Sequence, residues 1–110
     1  MANINVSELV KKMLGAAQEE LKGKWPDAKN YAQAEFRKIG ESIAFIQKEV
    51  LAGRMTEDRA RLHLEVQKNA ARMVLLCIEG LGILAVEAAI NAALAVVKDA
   101  VNTALGFALL

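Results

Sequence analysis

The amino-acid sequence predicts an all-α protein built as a single helical domain over residues 1–110. Apolar residues recur at spacings of three and four along most of the chain, which is the period of an α-helix. Residues 71–110 carry only five charged side chains, namely Arg72, Glu79, Glu87, Lys98 and Asp99. A helix that is apolar on nearly every side has to be buried on several sides. This segment therefore predicts a partner surface for the C-terminal part of the chain.

The first helix is expected over residues 7–22, with one buried face. Its apolar side chains lie at helical spacing, and the lysines and glutamates lie opposite them. Ser7 is the expected N-cap, and Gly23 suits the position just after the last turn. The pattern indicates an amphipathic N-terminal helix on the surface of the domain.

The second helix is expected over residues 27–52 and pairs with the third in an antiparallel hairpin. Pro26 is suited to the first turn of this helix, and Gly53 is expected to end it. Thr56 then favours a new helix start as an N-cap followed by two acids. Because the connection is so short, the two helices must run antiparallel. The second helix carries an a/d seam of apolar residues: Ala32, Phe36, Ile39, Ile43, Ile46 and Val50.

The third helix is expected to be long and apolar, running over residues 56–108 with a possible kink at residues 80–82. Its apolar seam continues through Leu62, Val66, Ala70, Met73, Cys77, Leu81, Leu84 and Ala88. The second helix can cover only the first half of such a helix, unless the chain folds back at residues 80–82, an alternative that the sequence leaves open. We therefore expect homo-oligomerisation, as a dimer or higher, to complete the bundle. The residues predicted to form this interface are Ile83, Leu84, Ala88, Ala92, Ala95 and Val96.

Polar residues of the long helix fall within one arc of roughly 140° when residues are placed about 100° apart. These polar-stripe residues are Glu65, Asn69, Arg72, Glu79, Glu87, Asn91, Lys98 and Asn102. The main interpretation is a solvent face beside buried subunit contacts. A first alternative is a membrane-active or pore-forming protein that inserts its C-terminal helix. A second is a carboxylate metal site at Glu79 and Glu87, although the Glu-x-x-His pair of di-iron bundles does not occur.

Charge and cysteine content argue against nucleic-acid binding and against a disulfide-stabilised fold. The formal net charge is +1, from 14 basic and 13 acidic residues, so the chain provides no field to attract nucleic acid. The single cysteine, Cys77, excludes an internal disulfide framework and is predicted to be buried in apolar surroundings. The start of the chain shows no basic segment followed by an apolar one, so we expect a cytoplasmic location.

No catalytic motif, phosphate loop or metal-binding spacing occurs in the sequence. The one histidine, His63, is expected near Phe45 or Ile46 in a structural role, and Trp25 is expected to cover one end of the core. The sequence therefore predicts a non-enzymatic, self-assembling helical module without catalytic residues, metal ligands or a cofactor.

Overall fold

The computed structural model describes residues 3–110. Four α-helices and one short 3₁₀ turn make up this part of the chain. They are α1 (Val6–Leu21), the turn Lys22–Lys24, α2 (Trp25–Leu51), α3 (Glu57–Leu76) and α4 (Ile83–Leu105). The all-α class predicted from the sequence is confirmed, since the described residues contain no strand.

Helix α1 buries one face, as the sequence predicts, and that face contains Leu9, Val10, Met13, Ala17 and Leu21. Its cap is Asn5 rather than Ser7, because the Asn5 side chain accepts a hydrogen bond from the Glu8 backbone N–H at 3.1 Å. Ser7 instead lies inside the first turn.

Helix α2 is central to the packing, and α1 crosses it closely at Gly40. A methyl group at Gly40 would lie 3.2 Å from Val10 Cγ2 and 3.3 Å from Val6 Cγ1. A glycine inside a helix normally costs about 1 kcal/mol relative to alanine, and here it permits the approach of α1. The predicted seam of α2 is buried from Ala32 to Ile46, with Phe36, Ile39 and Ile43 fully inaccessible to solvent, and Val50 is partly buried.

The hairpin between α2 and α3 forms as predicted. Gly53 adopts a left-handed conformation with φ of 73°, and Thr56 caps α3 by accepting from the Arg59 N–H at 3.2 Å. The rings of Phe45 and His63 stack with their centroids 5.6 Å apart, so the two helices lie side by side. The short connection between Leu51 and Glu57 makes them antiparallel.

The prediction of one helix over residues 56–108 is wrong, because the chain turns back between Leu76 and Ile83. Gly80 has φ of 89°, a conformation that only glycine adopts without strain. Ile78 and Leu81 are buried in this turn and anchor it to the core. The reversal lets α4 bury its own apolar face, which a continuous helix would leave in water.

The four helices therefore form an up-down-up-down bundle in which each helix packs against its sequence neighbours and α4 packs against α1. Closure thus occurs within the chain, whereas the sequence predicted closure by a neighbouring subunit. The core includes the following large, fully buried side chains: Phe36, Met13, Ile39, Ile43, Ile46, Leu75, Ile90 and Val86.

One buried amide links three parts of the bundle at the end where α1 begins. Gln47 Oε1 accepts from the Ile4 N–H at 3.2 Å, and Gln47 Nε2 donates to the Ala104 carbonyl at 3.3 Å. The side chain thus joins α2 to the segment before α1 and to the last turns of α4.

Candidate functional site

The largest apolar side chains exposed on α3 form a row that we call the outer stripe. Leu62, Val66 and Met73 are 61%, 64% and 67% exposed, and Ala70 and Cys77 continue the row. The sequence placed this seam toward α2, but α3 buries a different face made of Ala60, Leu64, Ala71 and Leu75. Because α4 folds back, α3 has to contact α2 and α4 together, and the face between those two helices becomes the buried one.

Cys77 is exposed, so the prediction of a buried thiol is wrong. The residue caps the C-terminal end of α3, where the chain leaves the bundle core. Its Sγ donates to the Met73 carbonyl at 3.3 Å. The thiol lies at one end of the outer stripe.

Five of the six residues predicted as an oligomer interface lie on the outer side of α4, whereas Ile83 stands seven residues before the buried Ile90 and is exposed at the start of the helix. Leu84 is 84% exposed, Ile83, Ala95 and Val96 are also exposed, and Ala88 and Ala92 are half-buried. The buried face of α4 lies opposite and includes Val86, Ile90, Val97 and Val101. The predicted interface is therefore accessible, and its use in assembly stays a prediction.

The polar stripe of the predicted long helix is divided between α3 and α4, which bring its two halves into contact. The Arg72 guanidinium donates to both carboxylate oxygens of Glu87, with Nη2 at 3.4 Å from Oε2, and it also donates to Asn69 Oδ1. Residues that were expected along one face of a single helix thus meet across a helix pair. This hydrogen bonding lowers the pKa of Glu87 and raises the pKa of Arg72.

The Arg72–Glu87 pair is expected to make stability depend on pH in the acid range. Since the folded-state pKa of Glu87 lies below its ordinary value of 4.5, the pair stabilises the fold above that value. The contribution is lost as the pH falls through the folded-state pKa. We expect the difference in melting temperature between the parent protein and Glu87→Gln to shrink as the pH is lowered from about 6 to about 3.

The matched control for this pair is the same Glu87→Gln change in an Arg72→Gln background, where the guanidinium is already missing. There the substitution should have little effect on melting at any pH. A difference between parent and Glu87→Gln that stays constant across the acid range would contradict the role of the ion pair.

A groove opens between α3 and α4 at the end of the bundle away from the Gly80 turn. Its volume is about 410 Å³, and Leu64, Leu94 and Leu109 provide buried apolar surface along it. Arg61, Lys68, Glu65, Asn91 and Lys98 also line it, together with Ala95 and Leu110. We call this space the α3–α4 groove.

The C-terminal segment forms one wall of the α3–α4 groove and is held by Asn102. Asn102 Oδ1 accepts from the backbone N–H groups of Leu109 and Leu110 at 2.9 and 3.0 Å, and its Nδ2 donates to the Leu110 carbonyl at 3.3 Å. Arg61 Nε also donates to the Ala108 carbonyl at 3.1 Å. This wall could not be predicted from the sequence, because Leu109 and Leu110 follow the predicted helix 56–108 and their contact with Asn102 requires the chain to turn after Leu105.

The residues singled out for chemistry do not come together. His63 stacks on Phe45 as predicted, and Trp25 is half-buried against the core. Glu79 lies in the turn between α3 and α4, whereas Glu87 is bound by Arg72. Within residues 3–110, no group of three or more His, Cys, Asp or Glu side chains is placed to hold a metal ion.

The helices of residues 3–110 include none with the combined length and apolar character needed to cross a bilayer. The fold thus defines the chain as an all-α helical bundle. Comparison with protein-family models, curated proteins and solved structures finds no match to this chain.

Proposed function

We propose that this chain is a non-enzymatic, cytoplasmic helical module that associates with a second copy of itself through the outer stripe of α3. The observation that carries the proposal is the exposure of Leu62, Val66 and Met73, each more than three-fifths accessible. Such large apolar side chains in one row are typical of an interaction surface.

The spacing of the outer stripe suits a helix as its partner. Leu62, Val66, Ala70, Met73 and Cys77 follow one another at steps of four, four, three and four, close to the a/d pattern of helix pairs. Twenty residues make α3 about 30 Å long. Two copies of the same row can face each other across a two-fold axis, which is the commonest symmetry of homo-oligomers.

Neighbouring side chains extend the apolar surface beside the outer stripe. Phe45 on α2 stacks on His63 and remains 46% exposed, so it lies next to α3 on the solvent side. A standard interface takes about 800 Å² from each partner, which exceeds a single helix row. We propose that the flank containing Phe45 joins the outer stripe in the contact.

The outer side of α4 is the alternative contact surface. Its predicted interface residues comprise three large apolar side chains, Ile83, Leu84 and Val96, and three alanines, so its apolar volume is comparable to that of the outer stripe. A contact there would also bury Leu84, the most exposed large apolar side chain of the described residues. The two surfaces lie on different helices and can be tested separately.

The solution mass tests the proposal. We expect light scattering after size exclusion, in reducing buffer so that Cys77 cannot cross-link, to give twice the 11.9 kDa chain mass. Val66→Glu places an uncompensated charge in the contact and should shift the protein to the monomer mass. Gln18→Glu adds the same charge at an exposed position of α1 and should leave the dimer intact.

Folding of the variants is checked by circular dichroism, because surface substitutions usually change stability by about 0.5 kcal/mol or less. A dimer that persists in Val66→Glu and in Met73→Glu but dissociates in Leu84→Glu would move the interface to α4. A parent protein of monomer mass at the highest concentration measured would contradict self-association altogether.

A further inference from the structure

We propose that the α3–α4 groove binds an aliphatic monocarboxylate of medium chain length. The groove joins an apolar floor to a cationic rim within one cavity of about 410 Å³. That volume lies in the range of small-molecule sites, which are mostly apolar with a few polar groups that fix orientation. The proposal concerns the side of α3 that faces α4 and does not depend on the outer stripe.

The floor of the α3–α4 groove is built from three leucines on three different segments. Leu64 belongs to α3, Leu94 to α4 and Leu109 to the C-terminal segment, and each is more than nine-tenths buried. An aliphatic tail lying on this floor would remove mainly its own apolar surface from water, which favours binding in proportion to the area covered.

The rim of the α3–α4 groove carries three cations and one acid. Lys68 Nζ forms an ion pair with Glu65 at 3.2 Å, and Arg61 pairs with Glu57 and Asp58 on its own helix. Lys98 forms no ion pair with any residue in the range 3–110, so its ammonium group is available to an anion. Lys98 is thus the rim cation that has no carboxylate partner among the described residues, and it favours a negatively charged head group.

The α3–α4 groove is formed without a ligand because hydrogen bonds fix the C-terminal segment that makes up one of its walls. Asn102 holds the backbone of Leu109 and Leu110 with three hydrogen bonds, which keeps the Leu109 side chain beside Leu64 and Leu94 in the floor. A pre-formed wall reduces the ordering cost of binding. A short acyl chain with one carboxylate matches the floor and Lys98 together.

The test is a titration of ¹⁵N-labelled protein with decanoate, followed by chemical shift changes of backbone amides. We expect saturable changes at Leu64, Leu94, Lys98 and Leu109. Butyrate has the same carboxylate with a shorter tail and should bind more than about 100-fold more weakly, because each buried methylene contributes about fourfold in affinity. Decyltrimethylammonium has the tail with a positive head group and should not saturate these amides.

The residue-level test compares Lys98→Gln with Lys29→Gln, which removes an exposed lysine of α2. Lys98→Gln should weaken decanoate binding by about fivefold, and Lys29→Gln should leave it unchanged. The proposal is overturned if decanoate shifts amides only outside the groove, if decyltrimethylammonium binds there as tightly, or if the two lysine variants behave alike.

Discussion

Replacing Phe36 by alanine is expected to lower the free energy of unfolding by about 3–5 kcal/mol, which is typical of truncating a buried aromatic side chain and leaving a cavity in the core. Phe36 is fully buried at the centre of the α2 seam and is the largest of the fully buried side chains. Chemical denaturation followed by circular dichroism measures the change. The loss is a large part of the stability of a domain of this size.

The matched control is Phe45→Ala, which makes the same substitution in the same helix. Phe45 is 46% exposed and stacks on His63 from the outer side. Its loss removes a stacked contact worth about 0.5–1.5 kcal/mol rather than a core volume. Equal destabilisation by the two variants would contradict the placement of Phe36 inside the bundle and Phe45 outside it.

Replacing Gln47 by leucine is expected to destabilise the fold by about 2–4 kcal/mol, even though leucine is similar in size and apolar. The substitution leaves the Ile4 N–H and the Ala104 carbonyl without the Gln47 amide. Both groups are partly buried, so each is expected to cost towards the lower end of the range of about 1–3 kcal/mol for a buried unsatisfied group. Hydrogen exchange should show the loss first at Ile4 and in the last turns of α4.

Gln33→Leu provides the comparison for this second variant. Gln33 is exposed on α2, where leucine is a good helix former, so the change should alter stability by about 0.5 kcal/mol or less. A Gln47→Leu variant as stable as the parent protein would show that the amide does not hold α1 and α4 together.

The amphipathic helices could be predicted closely from the sequence, because each has one dominant apolar face. Met13 in α1 and Ile43 in α2 belong to the apolar face of their helix, and this face is the one that is buried. Thr56 and Gly53 mark the hairpin because capping and left-handed turns depend on local chemistry. Even so, Asn5 rather than Ser7 caps α1, since both types of side chain cap helices equally well.

The turn at residues 77–82 could not be distinguished from a continuous helix by sequence alone, because its local sequence lacks the polar cluster of a loop. Its formation is driven by long-range burial: Ile78 and Leu81 are buried in the turn, and Val86 and Ile90 pack in the core beyond it. Cys77 is predicted to be buried for the same reason, because a continuous helix would place it between apolar neighbours, whereas it is exposed at the end of α3. Helix α3 contains two apolar rows of similar spacing, and periodicity alone does not say which row faces inward.

The candidate sites also divide into features that the local sequence determines and features that depend on long-range packing. The candidate interface on α4 could be predicted as an apolar row, because Leu84, Ala88, Ala92 and Ala95 recur at spacings of three and four. The α3–α4 groove could not, because Lys68 and Lys98 meet only after the chain folds back. The polar stripe is predicted along one face of a single helix, whereas its residues lie on two helices and in the turn, and the pairing of Arg72 with Glu87 arises from that turn.

The central claim is that α4 completes the bundle of its own chain and leaves the outer stripe of α3 for a second copy. Isotope-filtered nuclear Overhauser spectra of an equal mixture of labelled and unlabelled protein test it directly. We expect contacts between α1 and the α4 residues Val97 and Val101 only within one chain, and contacts between chains only around Val66 and Met73. Contacts between chains from α1 to Val97 or Val101 would contradict the account, because they would mean that α4 is exchanged between subunits.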